Sequence, residues 1–396
     1  MVALVNQIQK VEASSSTIYI RNDGSVEGTP YIETDTNVTY VFTANINNSI
    51  VIERNNIVID GKGYSVQGYG SATGLLLSNV NNVTVKNTNV TGFYYGVELM
   101  WATRSVLSEN NITSNYDHGV HLQYSSENNI SGNTLANNGN HGIRLYYSSN
   151  CSISGNIITH NYHDGVHLSG SSNCSISQNE IISNDDDGVH VSVSSDHNSI
   201  YGNIIANNEN GIDLRGIGNN VTGNVISGST ACGVWLGITG YSTENNSISE
   251  NSVKNNTYGV SFYCADYNEI FANSITESSI CGICFNLSEN NRIFHNNIIE
   301  NAQQACITTG SVNTWDTGYP SGGNYWDDFT ARYPNATEID TSGLWNTSYV
   351  LDANNTDHYP LMNQHIIPEF PSTLILPLFM TATLLALTIY KRKHAF

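Results

Sequence analysis

Basic residues are scarce in this chain of 396 residues: Lys and Arg total 14 against 34 Asp and Glu. Three of those basic residues stand together as Lys391, Arg392 and Lys393 at the C-terminal end. No basic patch remains elsewhere, which excludes nucleic acid as a partner. The apolar segments before residue 372 are short and rich in Asn, Ser and β-branched residues, which excludes a helical repeat. A conventional signal peptide is also missing. Val2-Ala-Leu-Val5 is a stub of an apolar region and Val11-Glu-Ala13 a remnant of a cleavage site, so residues 1–13 read as a truncated export signal whose true start lies upstream.

What is present is a phrase of glycine, aliphatic, variable and apolar residue that returns about every 23 residues. It reads Gly119-Val-His-Leu122, Gly142-Ile-Arg-Leu145, Gly165-Val-His-Leu168, Gly188-Val-His-Val191 and Gly211-Ile-Asp-Leu214. The glycines fall at 74, 96, 119, 142, 165, 188, 211, 233, 259 and 282, with Ala305 expected in the next slot. A fixed period of this length means one supersecondary unit stacked on copies of itself. Each unit also carries an isolated aliphatic residue, such as Ile130 or Ile153, and an Asn-x-aliphatic triplet, such as Asn133-Thr-Leu135. Three short alternating segments separated by Asn, Ser and Gly predict three strands and three turns.

The expected fold is all-β: a right-handed parallel β-helix of eleven or twelve coils, ~4.8 Å apart, forming a rod roughly 55 Å long. Val97, Val120, Ile143, Val166, Val189 and Ile212 form the spine of its interior, with Asn and Gly expected at corners that need left-handed backbone angles. The predicted organisation is a lead-in over 14–70, repeats over 71–310, an aromatic-rich cap over 311–362, a linker over 363–371 and an anchor over 372–396. Rods of this kind expose strand edges, so both ends need covers. Trp315, Trp326, Trp345 and Tyr359 suit a compact cap, with a sugar-stacking platform as the alternative.

Ser372 to Tyr390 is a run of ~19 largely apolar residues closed by the basic cluster, which reads as a membrane span with a cytoplasmic tail and leaves the rod outside the cell. The Pro368-Glu-Phe370 triad before it resembles the PEF-type C-terminal sorting signal of archaeal surface proteins, which implies a sortase-like processing enzyme as a partner. Sequons at Asn37, Asn82, Asn89, Asn111, Asn129, Asn150, Asn173, Asn220, Asn286, Asn335 and Asn346 suit a glycoprotein. Of seven cysteines, Cys151 and Cys174 occupy equivalent places in adjacent coils, as a disulfide or as stacked thiols. Cys281-Gly-Ile-Cys284 has redox spacing but lacks the helix N-terminus that would lower a thiol pKa.

Gly323-Asn-Tyr-Trp-Asp327 and Asp357-His-Tyr-Pro-Leu-Met362, following these repeats, resemble the NosD-like β-helix proteins, within the broader carbohydrate-binding and sugar-hydrolase β-helix group. The resemblance covers about residues 45 to 362 and implies the fold. The founding member assists copper-site maturation, but no copper-ligand motif carries over to this sequence. The Asp-rich stretch that often precedes the final Tyr-Pro is reduced to Asp340-Thr-Ser-Gly-Leu-Trp-Asn346, which argues against the calcium role that stretch would imply.

The variable position of the repeat points outward and runs Glu98, His121, Arg144, His167, His190, Asp213, Trp235, Ser261, Cys284. The position before each glycine runs Tyr95, His118, His141, Asp164, Asp187, Asn210. Together they predict one patch of His, Asp and Arg, open to several readings. As a polysaccharide lyase or uronate epimerase, Arg144 neutralises a uronate carboxylate, His121 or His167 abstracts a proton, and Asp164 or Asp187 orients the imidazole. His163-Asp-Gly-Val166 only loosely resembles the Asp-Pro-His-Asp motif of alginate epimerases. As a metal site, His167 and His190 with Asp164 or Asp187 suit Cu or Zn. As a glycan-contacting surface, the patch uses its hydrogen-bonding groups with Tyr124, Tyr146 and Tyr147 nearby. The outward positions can also simply be polar because they face solvent. The sequence reading preferred is a surface-exposed, membrane-tethered, glycan-contacting or adhesive module without assigned catalysis.

Overall fold

The computed structural model describes residues 17–308 and 310–367. Within them the repeat winds as a right-handed parallel β-solenoid of about twelve turns. Each turn gives one short strand to each of three sheets. In the coil that begins at Gly119 these strands are Val120–Gln123, Asn129–Ser131 and Thr134–Ala136. Coils stack without slippage, Val120 on Ile143, Ile143 on Val166 and Val166 on Val189. The period-2 alternation of each strand turns Val120, Leu122, Ile130 and Leu135 into the interior, where all four are fully buried.

The recurrent glycine is required by proximity and not by backbone angle. A Cβ on Gly142 would lie 2.6 Å from Ile158 Cγ2 and 2.7 Å from the Gly165 carbonyl oxygen of the next coil. Left-handed corners do exist, but they fall elsewhere, for example at Gly132, Asn137, Asn150 and Gly155. The asparagine of each Asn-x-aliphatic triplet corrects the sequence reading: it is buried inside a turn and joins a ladder along the rod. Asn133 Nδ2 donates to Asn156 Oδ1 at 3.0 Å, Asn156 to Asn179 at 2.9 Å and Asn179 to Asn203 at 3.0 Å. A second ladder links Asn115, Asn138, Asn161 and Asn184. Each ladder amide also bonds backbone groups, so turns buried at every coil keep their polar atoms satisfied.

Both ends are covered. Ile18–Ile20 pairs in parallel with Ile50–Ile52 and antiparallel with Val26–Glu27, and Ile32–Glu33 folds back on Thr39–Phe42. At the other end Gln304, not Ala305, stands beside Gly282, and Ala305 pairs with Ile283. Lacking the glycine, this last coil was placed one residue late by the period. Beyond it Trp315, Trp326, Phe329 and Tyr349 are buried, and Trp326 stacks on Tyr349 at 4.1 Å. These rings therefore form a cap and not an exposed sugar platform. Buried Asp357 accepts hydrogen bonds from the Asn324 amide and from Trp326 Nε1, which fixes the Tyr-Pro segment over the final coils.

Cys151 and Cys174 are both buried as free thiols, and Cys281 forms a disulfide with Cys306 instead of pairing with Cys284. The N-terminal stub, the Pro368-Glu-Phe370 triad and the apolar run from Ser372 lie outside the described residues. Among the described residues no helix is long and apolar enough to cross a membrane.

Candidate functional site

The first sheet brings together every residue singled out on the variable strip. Glu98 pairs with His121, His121 with Arg144, Arg144 with His167, His167 with His190, and His190 with Asp213. Trp235, Ser261 and Cys284 continue the row, which ends beside Cys306. The residues preceding each glycine form a second row alongside. His167 Nδ1 lies 2.8 Å from Asp164 Oδ2, and the His118 and His121 rings are 5.2 Å apart.

These rows face away from the core, as the alternation predicts, yet they are recessed and not freely exposed. His118 and Asp164 are each 1% exposed, and Glu98, His121, Asp187 and Asp213 are also buried. Stacking supplies the cover: Tyr95 lies flat on His118 at 5.4 Å, His118 on His141 at 5.1 Å, and His167 on His190 at 4.7 Å. The rows are thus the floor of a groove running along the rod.

Three electrostatic zones follow one another along that floor. In the first, Arg144 Nη1 contacts His118 Nε2 at 3.3 Å and its guanidinium lies 5.4 Å from the Tyr146 ring. Among the described residues Arg144 makes no ion pair with a carboxylate. Burial, reinforced by His141, His121 and Arg144, pushes His118 down to about 2, so its imidazole is neutral. Burial, with Asp117 nearby, pushes Tyr95 up to about 12.

In the second zone, Asp164 Oδ2 lies 3.2 Å from His141 Nδ1, 2.8 Å from His167 Nδ1 and 3.8 Å from His190 Nδ1. Burial opposes the Asp164 charge, but hydrogen bonds from His141 and His167 outweigh it and hold the carboxyl well below the usual range. Burial lowers His167 to about 4 despite Asp164, so a neutral ring donates Nδ1–H to an ionised carboxylate. Its Nε2 meets Ser192 Oγ at 3.1 Å, a partner that no repeat position marks out. Partial burial opposes the charge of His190, but Asp187, Asp213 and Asp164 outweigh it and raise its pKa. His141, Asp164 and His167, and likewise Asp164, Asp187 and His190, hold their ligand atoms within 4.8 Å of one another. Imidazole and carboxylate at such spacing suit a divalent transition metal.

In the third zone Asp213 is clamped by Arg215, whose Nε lies 3.0 Å from both carboxylate oxygens. Arg215 escaped the sequence reading because it sits two residues beyond the variable position. His163 stands apart from the floor, half-exposed and 3.7 Å from Asp186.

Aromatic rings flank the groove. Trp101, Tyr124 and Tyr147 follow the strands of three successive coils and stack at 4.6 and 5.7 Å. Trp101 is 55% and Tyr147 53% exposed. All three adopt left-handed angles, with φ of 57°, 50° and 47°, where the next coil uses Gly170. On the opposite side Tyr94, Tyr116 and Tyr162 are exposed on the turns that carry the second row.

Comparison with solved structures returns the same architecture. The chain is similar to the A-module of mannuronan C-5 epimerase AlgE6 from Azotobacter vinelandii at 13% identity and TM-score 0.54, covering 70% of this chain and 88% of that one. It is also similar to ORF18 of Geobacillus virus E2, at 16% identity and TM-score 0.50 over 63% of this chain and 52% of that one. A double mutant of the periplasmic alginate epimerase AlgG matches at 16% identity and TM-score 0.47 over 75% and 82%. Identities this low establish the shared fold alone. No curated protein matches the chain. The family model described as periplasmic copper-binding protein (NosD) matches residues 6–220 and 187–331, well over half of the chain, and the repeats, groove and cap described above thus belong to a member of the NosD family.

Proposed function

We propose that the protein is an exported glycan-contacting module and that the groove along its first sheet receives a polysaccharide chain. The observation that carries this reading is the exposed stack of Trp101, Tyr124 and Tyr147 beside a floor of polar side chains. The left-handed corner that follows these first-sheet strands, which also occurs at Asn79, Cys264 and Leu287, turns the three side chains outward. Sugars present one apolar face and a rim of hydroxyls. Aromatic rings receive the face, while the partly exposed side chains of Arg144 and His167 along the floor offer polar atoms to the hydroxyls. The same architecture serves an enzyme that acts on mannuronan, so a polymer along such a rod is compatible with the fold. The family description as periplasmic supports a location outside the cytoplasm. The C-terminal apolar run would tether the rod to the membrane unless a sortase-like enzyme removes it.

Binding of the full-length protein to immobilised neutral, acidic and amino-sugar polysaccharides tests the reading. At least one is expected to bind, and Trp101→Ala/Tyr147→Ala should weaken it by about 10-fold or more. Absence of binding across the panel would refute the proposal. Release of unsaturated ends from a uronate polymer would add lyase chemistry to it.

A second reading rests on the His141–Asp164–His167 group: a Cu(II) or Zn(II) centre in the middle zone. The neutral His167 imidazole and the ionised Asp164 carboxylate described above are protonation states a metal requires. Calorimetric titration with each ion should show tight uptake that is lost in His141→Ala/His167→Ala. Equal uptake by the variant removes this reading.

A further inference from the structure

We propose that the third zone holds a separate saccharide subsite, a side-walled cleft at Trp235 that accepts an uncharged pyranose residue. The proposal rests on the glycan reading of the groove and names the class of sugar taken at this end.

The cleft encloses about 550 Å³, within the range of small-molecule sites, and its composition has their form: apolar walls with a few placed polar groups. Its walls come from a departure in the repeat. Gly233 and Gly259 are 26 residues apart, where the common spacing is 23, so this coil carries three extra residues (26 − 23). The excess lies beyond the strand Cys232–Leu236, where Ile238 and Thr239 rise to line the cleft. The loop is pressed onto the following coil at Gly237, where a Cβ would lie 2.0 Å from the Tyr263 carbonyl oxygen and φ is +107°. Its Gly237 carbonyl accepts a hydrogen bond from Trp235 Nε1 at 2.9 Å, which fixes the indole. Tyr263 completes the aromatic wall, 6.0 Å from Trp235 and tilted by 32°.

Charge selects the class of ligand. Asp213 is 1% exposed, and its charge is cancelled internally by the clamp from Arg215. Glu209 is the charged lining group that remains, so the cleft as a whole is negative. A uronate or phosphate would meet a carboxylate with no free cation to offset it. A purely apolar ligand would strip water from Glu209, Asn210 and Arg215, the lining polar groups that keep solvent access, and return no hydrogen bonds. A neutral pyranose satisfies both halves, its face on Trp235 and its hydroxyls toward those polar groups.

Titration of the full-length protein with neutral oligosaccharides (gluco-, galacto- and manno-configured) and length-matched oligouronates, read by calorimetry and tryptophan fluorescence, tests the assignment. A neutral oligosaccharide is expected to bind and to weaken about 10-fold or more in Trp235→Ala, while Trp235→Phe, which keeps a ring, retains most of the affinity. Asp213→Asn, which keeps the shape and frees Arg215, should shift preference toward oligouronates by about 10-fold. Wild-type affinity in Trp235→Ala, with loss in Trp101→Ala/Tyr147→Ala, would overturn the subsite and leave the groove reading standing. Preferential binding of oligouronates by the wild-type protein at Trp235 would overturn the neutral class. Failure of every oligosaccharide to bind would overturn both.

Discussion

At the scale of the residue, asparagine does two jobs in this chain that its sequence context barely separates. Asn137 and Asn150 turn corners at φ of 55° and 57°, a role their short polar side chains tolerate. Asn133, Asn156 and Asn179 lie buried and hold adjacent coils together. Asn179 accepts from the Asn156 backbone amide at 2.9 Å and from Asn156 Nδ2 at 2.9 Å, and it donates to Asn203 Oδ1 and to the Ile153 carbonyl. Removing it orphans a backbone amide and a carbonyl in a dry turn, each worth ~1–3 kcal/mol. Asn179→Ala should therefore destabilise the solenoid by about 3–5 kcal/mol, measured by denaturant unfolding. Asn179→Asp should be at least as damaging, because a carboxylate can still accept both bonds from Asn156 but faces the Ile153 carbonyl and Asn203 Oδ1 without a proton to donate. The Asn-x-aliphatic rhythm was visible in the sequence. Its role as a ladder was not, because a single residue type carries both the corner and the interior signal.

At the scale of the element, the glycine that opens each first-sheet strand sets how closely coils approach. Gly142→Ala drives a methyl against Ile158 Cγ2, the Gly165 carbonyl and Asn161 Nδ2, all within 2.9 Å, and two of these belong to tightly packed or backbone groups. Gly155 has φ of +63° and nothing within 4 Å of a built Cβ. Gly155→Ala should cost only the ~1–2 kcal/mol of a left-handed alanine, whereas Gly142→Ala should cost about 3 kcal/mol or more and lower the melting temperature further. If both variants melted together, conformational preference and not packing would explain the repeat. The strand register was legible because a constant period leaves one way to stack the coils. Both rows of the groove follow from it, and all ten candidate residues meet there. Their recession was not legible, since it comes from rings stacked across coils and from turns that differ among repeats. The cleft at Trp235 was hidden for a related reason: the 26-residue spacing marks an insertion but does not say that its loop folds back over the groove.

At the scale of the whole molecule, a solenoid is a set of nearest-neighbour contacts, so its weak points are its ends. The final coils expose the parallel edges of Ala305–Ile307 and Asn297–Ile299, and the cap answers the second of these with Tyr325–Trp326 paired to Asn297 and Ile298. It also closes two ladders: that of Asn133, with Asn324 accepting from Asn296, and a third through Asn268, Asn291 and Asn313, with Asn355 accepting from the Asn313 amide. Trp315 and Trp326 bury large rings over the last interior layer, where Trp315 meets Phe285 at 5.6 Å. The cap is therefore a plug that ends both the hydrophobic column and these two amide ladders in one step. A disruptive pair within it, Trp326→Ala/Asp357→Ala, should expose a strand edge ready to pair with another chain. The expected outcome is concentration-dependent self-association in light scattering, with the far-ultraviolet β signal largely kept, because coils remote from the cap depend only on their own neighbours. Global loss of the β signal at the same temperature would show that the rod folds as one cooperative unit, with the cap as its keystone.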